Sequence, residues 1–295
     1  MATLKPYKDF PEQVQFLKDK GFIIPDDASW IAFLQTVSYY RLSAYHLPFR
    51  KPDGSYFENI TFNRICDIYH FDQELRTLVF STIETVEIFL RNRISHFHAE
   101  KYGPDGYMNA ANYRLGHDHK DFEERIRSCI KENKTSLIVK HHKKNYGNRF
   151  PLWVIIEFFS IGFLSHFYLD FVTQDKKAIS SLLYGVSPSV LEGWLRCLTD
   201  LRNKCAHYSR IYFWIFTALP TFPDASKSPY LPSNYRPINE RRLFFQLYLL
   251  KLMYPVPEEW NEKFVLPLRS LMDKYGKSIS LVHIGFPPDW QDQLS

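Results

Sequence analysis

The sequence predicts an all-α fold, and three observations point that way. Apolar residues recur at steps of three, four or seven over residues 61–102, through Ile65, Ile68, Phe71, Leu75, Leu78, Ile83, Val86, Leu90, Ile94 and Phe97. The same period runs through Trp194, Leu198, Leu201, Cys205, Tyr208 and Tyr212. The alternation of a half-buried strand is approached only over residues 278–284. With 295 residues, 45% of them hydrophobic and 17% aromatic, the chain can bury a sizeable core in one large domain or two smaller ones.

Taken in order, Phe10, Val14 and Leu17 mark a short helix that turns at Gly21, and Asp26 or Asp27 can cap a second helix from about Ala28 to Tyr40. Tyr39, Tyr40 and Arg41 follow on a short helix or loop, the tyrosines expected to be buried, with stacking on or holding of a nucleic acid by Tyr40 and Arg41 as the alternative, and Pro52-Asp-Gly-Ser55 is a turn. Residues 61–102 form one long helix or two joined end to end, with a slip in the pattern near Ser81 and with Glu84, Glu87 and Arg91 on one face. Gly103-Pro-Asp-Gly106 ends it, and residues 103–150 are the most polar part of the chain. Within them lies a basic loop with Lys140, Lys143, Lys144 and Arg149 and no acid. Pro151 starts a helix over 153–171 in which Glu157 needs a partner or an edge position. A break at 185–188 precedes the helix over 194–213, which Ser187 or Ser189 can cap. Prolines at 220, 223, 229, 232 and 237 then make an extended connection to two further helices, 240–254 and 258–275. The expected divisions are 1–60, 61–213 with a polar insertion at 103–150, and 214–295.

A net charge of +5 suits a polyanionic partner without requiring one. The cysteines at 66, 129, 197 and 205 form no Cys-x-x-Cys pair, so reduced thiols are expected. His117-Asp118-His119 and His141-His142 lack the spacing of a zinc enzyme and read as solvent-exposed histidines; no metal and no cofactor is expected. The N-terminus carries no apolar signal core, and the longest apolar run, 152–164, is broken by Glu157 and shorter than the roughly 20 residues of a membrane span. A cytoplasmic protein without a membrane partner is expected.

On the polar side of the helix over 194–213, Asp200, Asn203, His207 and Arg210 cluster with Arg202 at the edge, around a notch left by the small Ala206. Arg202 and His207 stand roughly 7.5 Å apart along the axis. Spacing alone describes a solvated polar face.

Arg202-Asn-Lys-Cys-Ala-His207 resembles the Arg-x4-6-His motif of HEPN ribonucleases. Ser38-Tyr-Tyr-Arg-Leu-Ser-Ala-Tyr45, Phe71-Asp-Gln-Glu-Leu-Arg76, Ile83-Glu-Thr-Val-Glu87 with Arg91, Ser160-Ile-Gly-Phe-Leu-Ser-His-Phe-Tyr168 and Ile284-Gly-Phe-Pro-Pro-Asp-Trp290 resemble, in the same order, the AbiD/AbiF group of the abortive-infection family. The resemblance spans nearly the whole chain. It implies a HEPN-like helical bundle with N- and C-terminal helical extensions, acting as a metal-independent endoribonuclease in phage defence or as a toxin.

In that reading His207 is general acid or base, Arg202 stabilises charge on phosphate with its planar fork, and Asn203 positions one of them. Glu87 orients the Arg or the His if its face abuts the notch. Lys140, Lys143, Lys144, Arg149, Arg210, Arg41 and Arg91 are the implied RNA contacts. The implied partners are RNA, both as substrate and as a small noncoding antitoxin, and a second copy of the chain that sets two motifs across one cleft. Tyr208 and Phe213 stand where many relatives carry a second His and an Asn, so the accessory polar roles are missing here. The competing class is a non-catalytic RNA-binding module of a ribonucleoprotein or toxin–antitoxin complex, and a third is a helical scaffold for a protein partner.

Overall fold

The structure, a computed structural model, describes residues 4–52, 56–57, 59–222 and 241–295. In chain order its helices are α1 (Phe10–Asp19), α2 (Asp27–Thr36), α3 (Tyr39–Ser43), α4 (Phe62–Tyr102), α5 (His119–Glu132), α6 (Leu137–Asn145), α7 (Leu152–Ile155), α8 (Ile161–Leu169), α9 (Thr173–Tyr184), α10 (Pro188–Ala206), α11 (Leu243–Met253), α12 (Pro257–Trp260), α13 (Leu266–Tyr275) and α14 (Trp290–Leu294). The fold is all-α: among the described residues extended pairing is limited to three isolated bridges. Residues 281–284, where alternation was suggested, form a tight helical turn.

The long apolar pattern is a single helix. α4 runs for 41 residues, about 60 Å, opened by the Thr61 hydroxyl, which accepts the Arg64 N–H at 3.2 Å, and closed at Gly103, whose φ of 83° leaves the helical region. Ile65, Ile68, Phe71, Leu75, Val79, Ile83, Val86, Leu90 and Ile94 are fully buried along it, each worth about 1.5–3 kcal/mol on burial. The slip near Ser81 is filled by buried Thr82, whose hydroxyl donates to the Leu78 carbonyl at 2.8 Å. α7, α8, α9, α10, α11 and α13 all pack on this axis.

Several boundaries differ from the sequence pattern. α2 stops at Thr36 rather than near Tyr40, because Val37 turns extended and Ser38 caps α3 through the Arg41 N–H. Tyr39 is half-buried against Phe16, whereas Tyr40 is exposed. The helix expected over 153–171 is broken between α7 and α8, where Phe159 is extended and the Ser160 hydroxyl accepts the Phe163 N–H at 3.1 Å to start α8. Glu157 sits at that break, half exposed, with Arg91 at 3.8 Å. The basic loop is largely helical, since α6 covers 137–145 and buries Val139 and His142. The histidines read as exposed are mostly not: His117 stacks on Tyr113 and bonds Asp170 at 3.0 Å, His119 is half-buried beside it, and His142 stacks on Phe150; His141 is exposed.

Ser187 occupies the N-cap position of α10 ahead of Pro188, but its hydroxyl pairs with that of Ser189 rather than with the helix backbone. The four cysteines are unpaired. Of the connection after Phe213, positions 223, 229, 232, 237 and 240 lie outside the described residues, as do most of those in the turn expected at 52–55. Among the described residues no helix is long and apolar enough to cross a membrane.

Candidate functional site

The helix carrying the Arg-x4-His sequence ends earlier than its apolar stripe suggests, and its ending sets the site. α10 stops at Ala206 with His207 as its C-cap. The Tyr208 N–H donates to the Cys205 carbonyl at 3.1 Å and the Ser209 N–H to the Lys204 carbonyl at 2.8 Å, the paired bonds of a Schellman turn. That turn needs a left-handed residue just past the cap, ordinarily glycine; here it is Tyr208 at φ 56°. Tyr208, expected on the buried stripe, is thereby thrown outward and is 69% exposed. Phe213 is left-handed as well, at φ 54°. Tyr208 and Phe213 are thus both in the region where, after glycine, Asn, Asp and His are enriched.

Between these two residues the chain is fastened to α4. Asp72, fully buried, accepts the backbone N–H groups of Ile211 at 3.0 Å and Tyr212 at 2.6 Å on one oxygen. On the other it accepts the Tyr45 hydroxyl at 2.6 Å and the Arg76 guanidinium. Burial pushes this carboxyl upward from its ordinary range, and the guanidinium and hydrogen-bond donors act against that. Arg41 donates to the Tyr208 carbonyl, and Arg210 to the Ala44 carbonyl at 2.6 Å while lying over the Tyr45 ring. Asp72, Arg76 and Tyr45 were not singled out from the sequence. The available signal was the i, i+4 spacing of Asp72 and Arg76 inside the stretch Phe71–Arg76.

Arg202 faces α4. Its Nε lies 3.7 Å from Glu87 Oε2 and has no hydrogen-bond partner among the described residues. Its Nη1 donates to Asn203 Oδ1 at 3.4 Å, and the guanidinium carbon is 5.7 Å from the centre of the Phe80 ring. Glu87, buried, also accepts from Arg91 at 2.5 Å, and Arg91 in turn donates to the Phe159 carbonyl at 2.7 Å, across the break between α7 and α8. The face of α4 bearing Glu87 therefore does abut the motif, on the side of the arginine. In front of Arg202 opens a cavity of about 390 Å³ bounded by Phe80, Glu84, Glu87, Arg91 and Glu157.

The single notch expected over Ala206 is divided. Asn203 and Asp200 line a different groove, between α8 and α10; His207 is exposed at the helix end, its ring without a hydrogen-bond partner among the described residues; and Arg210 lies beyond the helix, half-buried. Of the expected RNA contacts, Arg41, Arg91 and Arg210 are engaged by protein carbonyls, and Arg149, though exposed, pairs with Asp105. Lys140, Lys143 and Lys144 stand exposed on α6 and make no ion pair among the described residues. Lys143 shares a cavity of about 220 Å³ with Arg127 and Lys131 of α5 and with Lys134 just beyond that helix, cations the sequence reading had passed over. Among the described residues no group of three or more His, Cys, Asp or Glu is placed to hold a metal ion.

A family model described as Abi-like protein matches residues 32–213, more than half of the chain, from within α2 to the left-handed Phe213. No curated protein and no solved structure matches.

Proposed function

The chain belongs to the Abi-like protein family, which points to phage defence by abortive infection, and from that premise we propose that it is a metal-independent endoribonuclease with residues 61–213 as its HEPN-like core. The observation that carries this reading is Arg202: a guanidinium braced by a buried carboxylate, with its Nε unsatisfied, at the mouth of a cavity and one turn before an exposed histidine.

The chemistry follows from the two side chains. The 2′-hydroxyl of RNA attacks the adjacent phosphorus as a base removes its proton; the bond to the 5′-oxygen breaks as an acid protonates it, leaving a 2′,3′-cyclic phosphate. His207 performs one of these transfers, because imidazole exchanges protons near neutral pH. Arg202 stabilises the charge that builds on the phosphoryl oxygens, and its fork geometry suits two of them at once. Asn203, bonded to Arg202, limits the guanidinium's rotation, and Glu87 anchors it from below. A single chain supplies one such pair. The second proton transfer falls to the His207 of a second copy facing the first, which makes the working unit a homodimer. The exposed lysines of α6 guide the RNA by counterion release, and they serve equally for a bound noncoding RNA.

The test is cleavage of single-stranded RNA in EDTA. Wild type is expected to leave 2′,3′-cyclic ends, and Arg202→Ala and His207→Ala to leave the RNA intact. Cutting that survives both substitutions, or that needs a divalent ion, overturns the assignment. The second reading, a non-catalytic RNA-binding module, is favoured by Lys131 of α5 and the three lysines of α6, which make no ion pair among the described residues, and it predicts RNA bound by wild type but left uncut.

A further inference from the structure

A groove of about 650 Å³ runs between α8 and α10, bordering Asn203 and Asp200 but outside the Arg202 cavity. Its volume falls within the roughly 300–1,000 Å³ of small-ligand sites. Two glycines open it, Gly162 in the first turn of α8 and Gly193 inside α10. Glycine is the poorest helix former after proline, and neither residue has the positive φ that would call for it. Nor does close packing require them: among the described residues a Cβ at Gly193 would meet nothing within 4 Å, and one at Gly162 only side-chain atoms at 3.8 Å and beyond. The space left by the missing side chains is open groove.

Its charge points to an anionic occupant. The acids of the groove are already paired, Glu192 with Lys176 at 2.8 Å and Asp200 with Lys204 at 3.4 Å. Arg196 of α10 and His166 of α8 are exposed and make neither an ion pair nor a side-chain hydrogen bond among the described residues. Asn203, at the edge of the groove, is the residue bonded to Arg202.

We propose that this groove seats one nucleotide of single-stranded RNA beside the scissile phosphate, an assignment that rests on the ribonuclease reading of Arg202 and His207. Arg196 and His166 hold the flanking phosphate, and Asn203 and Asp200 meet the polar edge of the base or ribose. A single strand is required because only an unstacked nucleotide can be turned into such a groove. Arg196 and Asn203 thereby become determinants of where the RNA is cut.

The test uses His207→Ala protein, so that RNA is bound without being consumed, and a short fluorescein-labelled single-stranded RNA read by anisotropy. Adding Gly193→Leu fills the groove with a better helix former whose Cβ has room, so Tm is expected to hold or rise while Kd weakens about tenfold or more, the loss of one seated base. Adding Arg196→Ala instead flattens the dependence of log K on log salt by about 0.7. An unchanged Kd in Gly193→Leu at unchanged Tm overturns the proposal, as does an absence of RNA binding in the His207→Ala parent. So does an acidic peptide whose binding is lost in Gly193→Leu while that of RNA persists. Failure of the ribonuclease reading is seen separately, as wild-type protein that binds RNA through a Gly193-sensitive groove yet never cuts it.

Discussion

Asp72, in the third turn of the central helix, accepts the backbone N–H of Tyr212 at 2.6 Å across 140 positions of sequence. Together with the bond from Ile211 it holds the segment that follows His207 against α4. The geometry of the candidate catalytic end is therefore set by a buried carboxylate far away in the chain.

Asp72→Ala should be severely destabilising. It strands the Arg76 guanidinium, the Tyr45 hydroxyl and two backbone N–H groups in a buried place, and breaking a buried ion pair costs about 3–5 kcal/mol. Tyr45→Phe removes one donor and should cost about 1–2 kcal/mol. Urea unfolding of the two variants measures both; an Asp72→Ala loss no greater than that of Tyr45→Phe would show that the hub does not hold the segment.

Tyr208→Gly should stabilise the protein. Its left-handed backbone carries a steric penalty and its exposed ring has little packing to lose, so a gain of about 0.5–1 kcal/mol is expected. Phe213→Gly should not gain, because that ring packs against Arg242 at 4.2 Å and against His283. Comparing the two Tm shifts checks the explanation, and a loss in Tyr208→Gly counts against it.

Stability should fall as the solution is acidified below neutrality. His46 and His98 are buried among aromatic rings, and burial pushes each down from 6.5 to about 4. Between those values the unfolded chain binds protons that the fold excludes. The contribution of the neutral imidazoles is thus complete above about pH 6.5 and is lost as pH drops toward 4, by about 1–2 kcal/mol each at pH 5. Denaturant midpoints from pH 7.5 to 5 follow this. His98→Phe, which keeps the ring contacts, should flatten the curve; a curve of unaltered slope in that variant would remove His98 from the account.

Glu87→Gln should lower RNA cleavage by up to about 100-fold, the scale of a misplaced catalytic group, with RNA affinity little changed. Glu87 stands between Arg91 and Arg202, and without its charge the Arg202 fork loses its brace. Single-turnover rates at saturating RNA read this directly; a wild-type rate would leave Glu87 a structural partner of Arg91 alone.

Removing charge from α6 should separate binding from chemistry. Lys140→Gln, Lys143→Gln and Lys144→Gln together should flatten the salt dependence of RNA binding by about 2 log units per log of salt, from about 0.7 for each phosphate contact. Arg149→Gln should add little, because Asp105 already holds that side chain. An unchanged slope in the triple variant would make α6 an ordinary solvated surface and move the RNA path to Arg127, Lys131 and Lys134.

Much of this molecule follows from sequence alone because helical periodicity is a local property. The spacing of apolar residues determined the all-α class and the helical span over 61–102, an Asp at 26 or 27 the start of α2, and Gly103 the end of α4, while the fold decided that the span is one unbroken helix and that Asp26 is the cap. The Arg202 and His207 pair was also visible, as a pattern within one helix. What the sequence could not determine were contacts between residues distant along the chain. α10 ends at Ala206 although its apolar stripe continues to Tyr212, because Asp72 and Arg41 capture the following segment and burial of Tyr212 does not need a helix. The helix over 153–171 is broken where Arg91 takes the Phe159 carbonyl. Arg41 and Arg210 look like free cations in a sequence, and Arg91 like a partner of Glu87 alone, but only a folded chain shows the carbonyls that occupy all three. Tertiary structure likewise decided that Arg202 turns toward Glu87 while its neighbour Asn203 lines the groove along α8. Successive residues on a helix point about 100° apart, and which helix lies in each direction is settled by packing.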